Sequence, residues 1–383
     1  MDGTDGLVKR RISGQRFHIS GSASRSTPAE TVKYAHQIVR GLTAGLTSKG
    51  GRMVVQLGEE PTSQEPGLST LFDWSILEEV TSIASKGNIP ESIQGIPCIA
   101  VGFSNWKARI PESRSTLVGE AIDRHVLEIV QLPQTSRVGG LLRERQALYG
   151  DVLVTIGGGP GVEHLAQLYR QMHQPIIPLD LPLKPGKMSA SEGLYMEAME
   201  EPPAFFEYDV KSRASASLAS LSLKSLPEVD DFVARFLGFV TELSAPRAFF
   251  AHLLTPRIPD YQKVVTYFDR VVSRVMAESG YSRFDPGKDA SEETFLNVEV
   301  FKMIQASSIV IVDLTRLRPN CFVELGFALG LGKKVIVTAL RGTRLPFDAE
   351  AIPCHYWQAG TRNERRRQDF KGFVSLNVNR RGV

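Results

Sequence analysis

Cysteine is scarce in this 383-residue chain. The three present, Cys98, Cys321 and Cys354, are too few and too scattered for a disulfide framework or a zinc cluster. That excludes small disulfide-stapled folds and suits a reducing compartment. Cys354-His355 is a suggestive pair, but no two further ligands follow at metal spacing, so no metal site is expected. Long apolar runs are missing as well: none approaches the ~18 to 20 residues that cross a bilayer. The start of the chain, with Asp2, Asp5, Lys9, Arg10 and Arg11, holds no apolar signal core. A cytoplasmic protein without membrane association is the expectation. Charge of one sign is also lacking, since the net charge is +3, small for a nucleic-acid binder. Only the tail concentrates base, as Arg362, Arg365, Arg366, Arg367, Arg380 and Arg381, and it reads as solvated chain rather than as a nucleic-acid contact.

What is present is an ordinary globular composition, 42% hydrophobic and 23% charged, in a chain long enough for two domains. Short apolar runs ending in glycine or small polar residues recur, each followed by a helical pattern: RFHISGSA from Arg16, RMVVQLG from Arg52, PCIAVG from Pro97 and DVLVTIG from Asp151. Gln174–Leu179 adds a further strand. Such alternation predicts parallel sheets. The serine-rich stretch Ser212–Ser225 and the helical spacing after Asp230 read as a connector. From Ala245 the alternation restarts, with strands at Ala248–Leu254, Ile309–Val312 and Lys334–Val337. The fold class predicted is α/β, two doubly wound Rossmann-like domains with mostly parallel sheets. Their expected extents are 10–205 and 244–360, joined by a connector with a helix over 206–243 and followed by a basic tail over 361–383.

The segment VTIGGGPGVEHLA from Val154 is a strand, a glycine cluster and a helix start, where free N–H groups and the helix dipole favour an anion. Ser20-Gly21-Ser22-Ala23-Ser24 is a second small-residue turn, expected at the same sheet edge. Leu142–Gly161 as a whole, LRERQALYGDVLVTIGGGPG, resembles the LOG-type, lysine-decarboxylase-like Rossmann proteins and the wider SLOG group of nucleotide sensors. The resemblance covers roughly Gly14 to Asp180. It implies that Arg145 matches the family arginine and that Gly21, Ser22, Ala23, Gly158, Gly159 and Gly161 hold a small nucleotide signal, such as a cyclic nucleotide or an ADP-ribose derivative. The family's acidic pair is absent: His164 and Leu165 stand in its place and Glu163 is one position off. A domain that binds without cleaving is the expectation.

Glu324 is the one ionisable residue in CFVELGFALGLG, whose apolar residues spread around the whole helical circumference. Asn320 reads as the N-cap, which places Glu324 in about the first turn, where a glutamate also suits the helix dipole. A helix apolar all round predicts burial, so its carboxylate should open on a cleft at the carboxyl edge of the sheet, beside Asp313. Ile311–Thr315 followed by Asn320–Lys333 resembles the nucleoside 2-deoxyribosyltransferase-like and TIR-like superfamily, over about Ala248 to Thr338. The resemblance implies cleavage of an N-glycosidic bond, with Glu324 as nucleophile or oxocarbenium stabiliser and Asp313 on the ribose. Phe249 and His252 would line the base side, and Asn320 would contact substrate. His252 also reads as an ordinary structural histidine. Asn297 and Glu299 could face the cleft, although Glu292, Glu293 and Glu299 read more readily as a solvated helix face.

Together the two resemblances imply an antiphage effector: a nucleotide signal activates a homo-oligomer that hydrolyses NAD to nicotinamide, with NAD as substrate and no cofactor. Two alternatives stand beside it. One is a nucleoside or nucleotide N-ribosyl hydrolase or deoxyribosyltransferase, the other a non-catalytic nucleotide-binding scaffold.

Overall fold

The computed structural model describes residues 11–377 except 92, 94, 134–138, 208–212, 253–255, 285–295 and 347–350. Contacts divide the chain into two compact units, Arg11–Ser244 and the residues from Ala245 onward. Each is α/β with a parallel sheet.

The first unit holds β1 Arg16–Ser22, β2 Arg52–Gln56, β3 Cys98–Phe103, β4 Leu127–Leu132, β5 Val152–Gly157 and β6 Ile176–Leu179. Their order is β4-β3-β2-β1-β5-β6, all parallel. β3 and β5 are buried along their whole length, which is why they read as continuous apolar runs. The Ala29–Ser48 helix lays Val32, Ala35, Val39, Leu42 and Leu46 into this core at three- and four-residue spacing. The chain reverses direction across the sheet between β1 and β5, whose carboxyl ends, Ser22 and Gly157, lie in register.

The stretch expected to be a connector belongs to this core. Leu218, Leu221, Leu223, Phe232 and Phe236 are fully buried in it. The Val229–Glu242 helix packs closely on Ala29–Ser48 at Gly41 and Gly45, where an added Cβ would come within 2.9 Å of Val233. The serines masked a leucine series at three- and two-residue spacing, so the polarity of the stretch misrepresents its burial.

The second unit holds β7 Arg247–Ala251, β8 Ser282–Phe284, β9 Ile309–Asp313, β10 Lys334–Leu340 and β11 Cys354–Trp357, in the parallel order β11-β10-β9-β7-β8. Leu253 and Leu254, expected at the end of the first of these, lie outside the described residues. Alternate residues feed opposite faces: Phe250, Ile309 and Ile311 pack on one side, Phe249, Val310 and Val312 on the other. The tail expected to be solvated is an Asn363–Asn377 helix that buries Phe370 and Val374 among Trp357 and Tyr267. Arg380 and Arg381 lie outside the described residues. Among the described residues no helix is long and apolar enough to cross a membrane.

Candidate functional site

In the second unit the chain leaves β9 through a short turn and enters the Pro319–Gly330 helix. Pro319 takes the first helical position, and its fixed φ suits that place. The capping residue is therefore Arg318 and not Asn320, which is exposed one position into the helix. Glu324 consequently falls in the second turn. Cys321, Leu325 and Ala328 form the buried stripe, while Val323 is 56% exposed and Gly326 and Gly330 face outward. The helix is thus buried on one side only, which corrects the expectation from its composition. Small residues can face solvent without looking polar in the sequence.

Glu324 sits on the flank between these faces and is half-buried. Burial pushes its carboxyl up to about 7, and the charges of His252 and Arg318 pull against that shift. Around neutral pH both of its protonation states are therefore populated. His252 follows β7 directly and is 9% exposed. Its ring lies 4.6 Å from that of Phe268, the first residue of a π turn that interrupts the helix between Tyr261 and Glu278. Such turns re-aim side chains and recur at functional sites. Buried Cys321, below Glu324, has its thiol pushed up to about 12 by desolvation and then by Glu324 and Asp313.

Two expected members of the site have other duties. Asp313 is 0% exposed. Its carboxylate accepts hydrogen bonds from the Thr315 N–H at 3.0 Å, the Thr338 hydroxyl at 2.8 Å and the Trp357 indole N–H at 3.1 Å. These donors come from the turn after β9, from β10 and from β11, so Asp313 ties the sheet edge together and has no face for a ribose. Burial raises its pKa, against the pull of those hydrogen bonds. Phe249 is 0% exposed and belongs to the core beneath the Pro319–Gly330 helix, so it lines no base pocket. The period-two alternation of β7 decides this, because its odd residues face that core. Glu292, Glu293 and the side chain of Asn297 lie outside the described residues, and Glu299 is half-buried. Sequence reasoning missed Arg318; its position just before the helix-starting Pro319 was the available signal.

In the first unit the two small-residue turns meet as expected. Gly158 donates its N–H to the Ser22 carbonyl at 2.8 Å, and a Cβ on Gly158 would lie 3.6 Å from Gly21 Cα. A Cβ on Gly21 would fall 1.8 Å from the Ile156 carbonyl oxygen, so only glycine fits there. Gly157 and Gly158 both take positive φ, 64° and 76°. Gly21, Ser22, Gly158, Gly159 and Gly161 form a half-exposed rim at the start of the Pro160–Gln171 helix, whereas Ala23 is buried and donates its N–H to the Thr70 carbonyl.

The arginine at this rim is Arg143, not Arg145. Arg143 Nε donates to His164 Nδ1 at 3.1 Å, and its guanidinium lies 3.4 Å from where a Gly161 Cβ would be. Arg145, two residues along the same helix, points about 200° away around its axis. The family register pointed to Arg145, whereas the structure brings Arg143 to the rim. Glu163 is exposed, facing away from the rim. Among the described residues, no group of three or more His, Cys, Asp or Glu could hold a metal ion.

Residues 12–239 match the family model described as ATP nucleosidase Cap17-like, N-terminal. The ATP nucleosidase Cap17 of Escherichia coli (strain KTE188) is 27% identical over 165 residues, which cover 43% of this chain and 32% of that protein. The chain thus matches about a third of the length of this curated relative. Among solved structures, the CMP N-glycosidase BcmB of Clostridium botulinum is similar over 34% of this chain and 98% of its own, with 16% identity and a TM-score of 0.25. UDP-GlcNAc 2-epimerase of Neisseria meningitidis covers 86% of this chain and 94% of its own, with 10% identity and a TM-score of 0.23.

Proposed function

The chain belongs, over residues 12–239, to the family of Cap17-like ATP nucleosidase N-terminal domains, and from that premise we propose that it is a nucleotide-controlled N-glycosyl hydrolase whose second unit reacts through Glu324. The observation that carries this reading is the half-buried Glu324 carboxyl, pushed up to about 7 beside His252 at the carboxyl edge of a parallel sheet. Perturbed carboxyls in such a place are where catalytic groups collect. The resemblance of the second unit to TIR-like and deoxyribosyltransferase-like proteins points the same way.

In the reaction the C1′–N bond breaks, its electron pair leaves with the base, and positive charge builds on the sugar. Water then adds its oxygen to C1′ and releases a proton. With NAD the leaving nicotinamide departs as a neutral molecule and asks for no proton, so ionised Glu324 beneath the sugar supplies the needed stabilisation. NAD is the first reading of the substrate. The second reading is ATP, favoured by the name of the matched family. Adenine leaves poorly as an anion, so protonated Glu324 would donate to the departing base. The first unit, with its glycine rim and Arg143, binds a small nucleotide signal without cleaving it. Signal binding would switch on the second unit through homo-oligomer assembly, in the manner of an antiphage effector.

The test is to incubate the full chain with NAD, ATP and deoxynucleosides, with and without candidate cyclic nucleotides and ADP-ribose. Released base is followed by mass spectrometry, and particle size is measured in the same samples. Base release from wild type and none from Glu324→Gln supports the reading. No release with any ligand leaves the binding scaffold as the better description, and activation without a change of size removes the assembly step.

A further inference from the structure

The carboxyl ends of β9 and β10 border a cavity of about 590 Å³ that the sequence did not single out. Thr315 and Arg316 from the turn after β9, Leu340 and Arg341 at the end of β10, Arg344 beyond it, and Asp260 line it. Among the described residues of the lining, three arginines thus face one carboxylate. Arg316 is committed to Asp260, at 2.6 and 2.8 Å, and Lys263 also pairs with that aspartate. Arg341 and Arg344 are exposed, and neither has an acidic partner among the described residues. The backbone N–H of Arg341 donates to the Trp357 carbonyl at 2.8 Å, which fixes that residue to β11. Arg341 also lines an adjoining cavity of about 260 Å³ with Arg365 and Arg366.

The backbone supplies an independent observation. Asp260, Arg316 and Leu317 all take left-handed φ, of 68°, 65° and 49°, and all three line this one cavity. The ion pair therefore joins two strained residues. Strain held in this way gathers at sites where side chains must be positioned in advance. Among the described residues the lining has no aromatic residue on which a base could stack, while guanidinium forks match the oxygens of phosphate. Parallel strands lie about 4.8 Å apart, so β10 is roughly 10 Å across the sheet from β7, whose end carries His252 beside Glu324. That is the order of the reach from an anomeric carbon to the phosphates of a nucleotide.

We infer that the Arg316, Arg341 and Arg344 cavity is the phosphate subsite of the nucleotide whose N-glycosidic bond Glu324 attacks. The substrate is then a phosphorylated nucleotide, and free nucleosides are poor substrates. The link to a substrate rests on the Glu324 reading, whereas the anion site stands on its own geometry.

The test titrates the full chain with inorganic pyrophosphate at constant ionic strength, with sulfate as the control anion. Pyrophosphate is expected to bind more tightly than sulfate. Arg341→Ala and Arg344→Ala should each weaken it about tenfold, the loss expected of one charge-assisted contact. Arg344→Lys should recover part of that loss by restoring charge without the fork. Glu324→Gln should leave pyrophosphate binding as in wild type. In turnover, the alanine variants should lower kcat/KM for a nucleotide about tenfold while leaving that for its nucleoside near wild type. Pyrophosphate binding no tighter than sulfate, or unaltered in the double alanine variant, overturns the proposal. Equal alanine effects on nucleotide and nucleoside overturn the substrate half of it. An undiminished rate in Glu324→Gln sinks the catalytic reading alone and leaves the pyrophosphate result standing.

Discussion

Glu324→Gln should make the second unit more stable while abolishing its reaction. In the folded chain the Glu324 carboxyl is moved from 4.5 to about 7, chiefly by burial. The folded state therefore holds its proton more tightly than the unfolded chain does. Stability contributed by the protonated group is fully present below about pH 4.5 and is lost as the pH rises through about 7. The loss amounts to about 3 kcal/mol at most, and solvent around a half-buried side chain reduces it. Glutamine does not titrate and retains most of the shape. At pH 8 the variant should thus exceed wild type by about 1 to 3 kcal/mol, and at pH 5 the two should be nearly equal. Hydrogen exchange of peptides from β9 and the Pro319–Gly330 helix, compared between the two proteins at matched pH, reads the difference. An equal or lower stability of the variant at pH 8, or the same advantage at pH 5, would refute the argument. A glutamate kept only for structure would be expected to cost activity little.

Three further outcomes test the remaining links. If NAD is the substrate, kcat/KM should rise with pH through about 7 as Glu324 ionises, whereas an ATP-cleaving enzyme that uses it as acid should decline over the same interval; a flat profile with either substrate removes Glu324 from the rate. Asp313→Asn takes one acceptor from three buried donors and should destabilise the second unit by about 1 to 3 kcal/mol, and unchanged unfolding with lost activity would restore the sugar-binding role. Gly21→Ala places a methyl 1.8 Å from a backbone oxygen and should lower the melting temperature of the first unit markedly, as seen by differential scanning calorimetry; a normal melting curve would show that the β1–β5 crossing yields easily.

Much of the fold was legible because parallel strands carry their own local signature. β1, β2, β3, β5 and β9 are runs largely buried on both faces, and β1, β5 and β9 end in Ser22, Gly157 and Asp313. β8 and β11 were not foreseen, since three or four residues such as Cys354–Trp357 have no periodicity to read. Glu324 stood out by being charged among apolar neighbours, and the structure leaves it half-buried within the electrostatic reach of His252. Asp313 and Phe249 were read from the same motif, yet they are sealed.

The chain by itself therefore determined the α/β class, the pairing of the two glycine turns and the one reactive-looking carboxyl, because these depend on the order and spacing of neighbouring residues. Which residues face open space was decided only by tertiary structure. Asp313 meets its donors from Thr338 and Trp357, which lie 25 and 44 residues further along. Arg316 meets Asp260 across 56 residues, and Arg341 reaches the same cavity from another strand. Exposure, pairing and charge balance are properties of what packs beside a residue, and in a parallel sheet those neighbours come from distant parts of the chain.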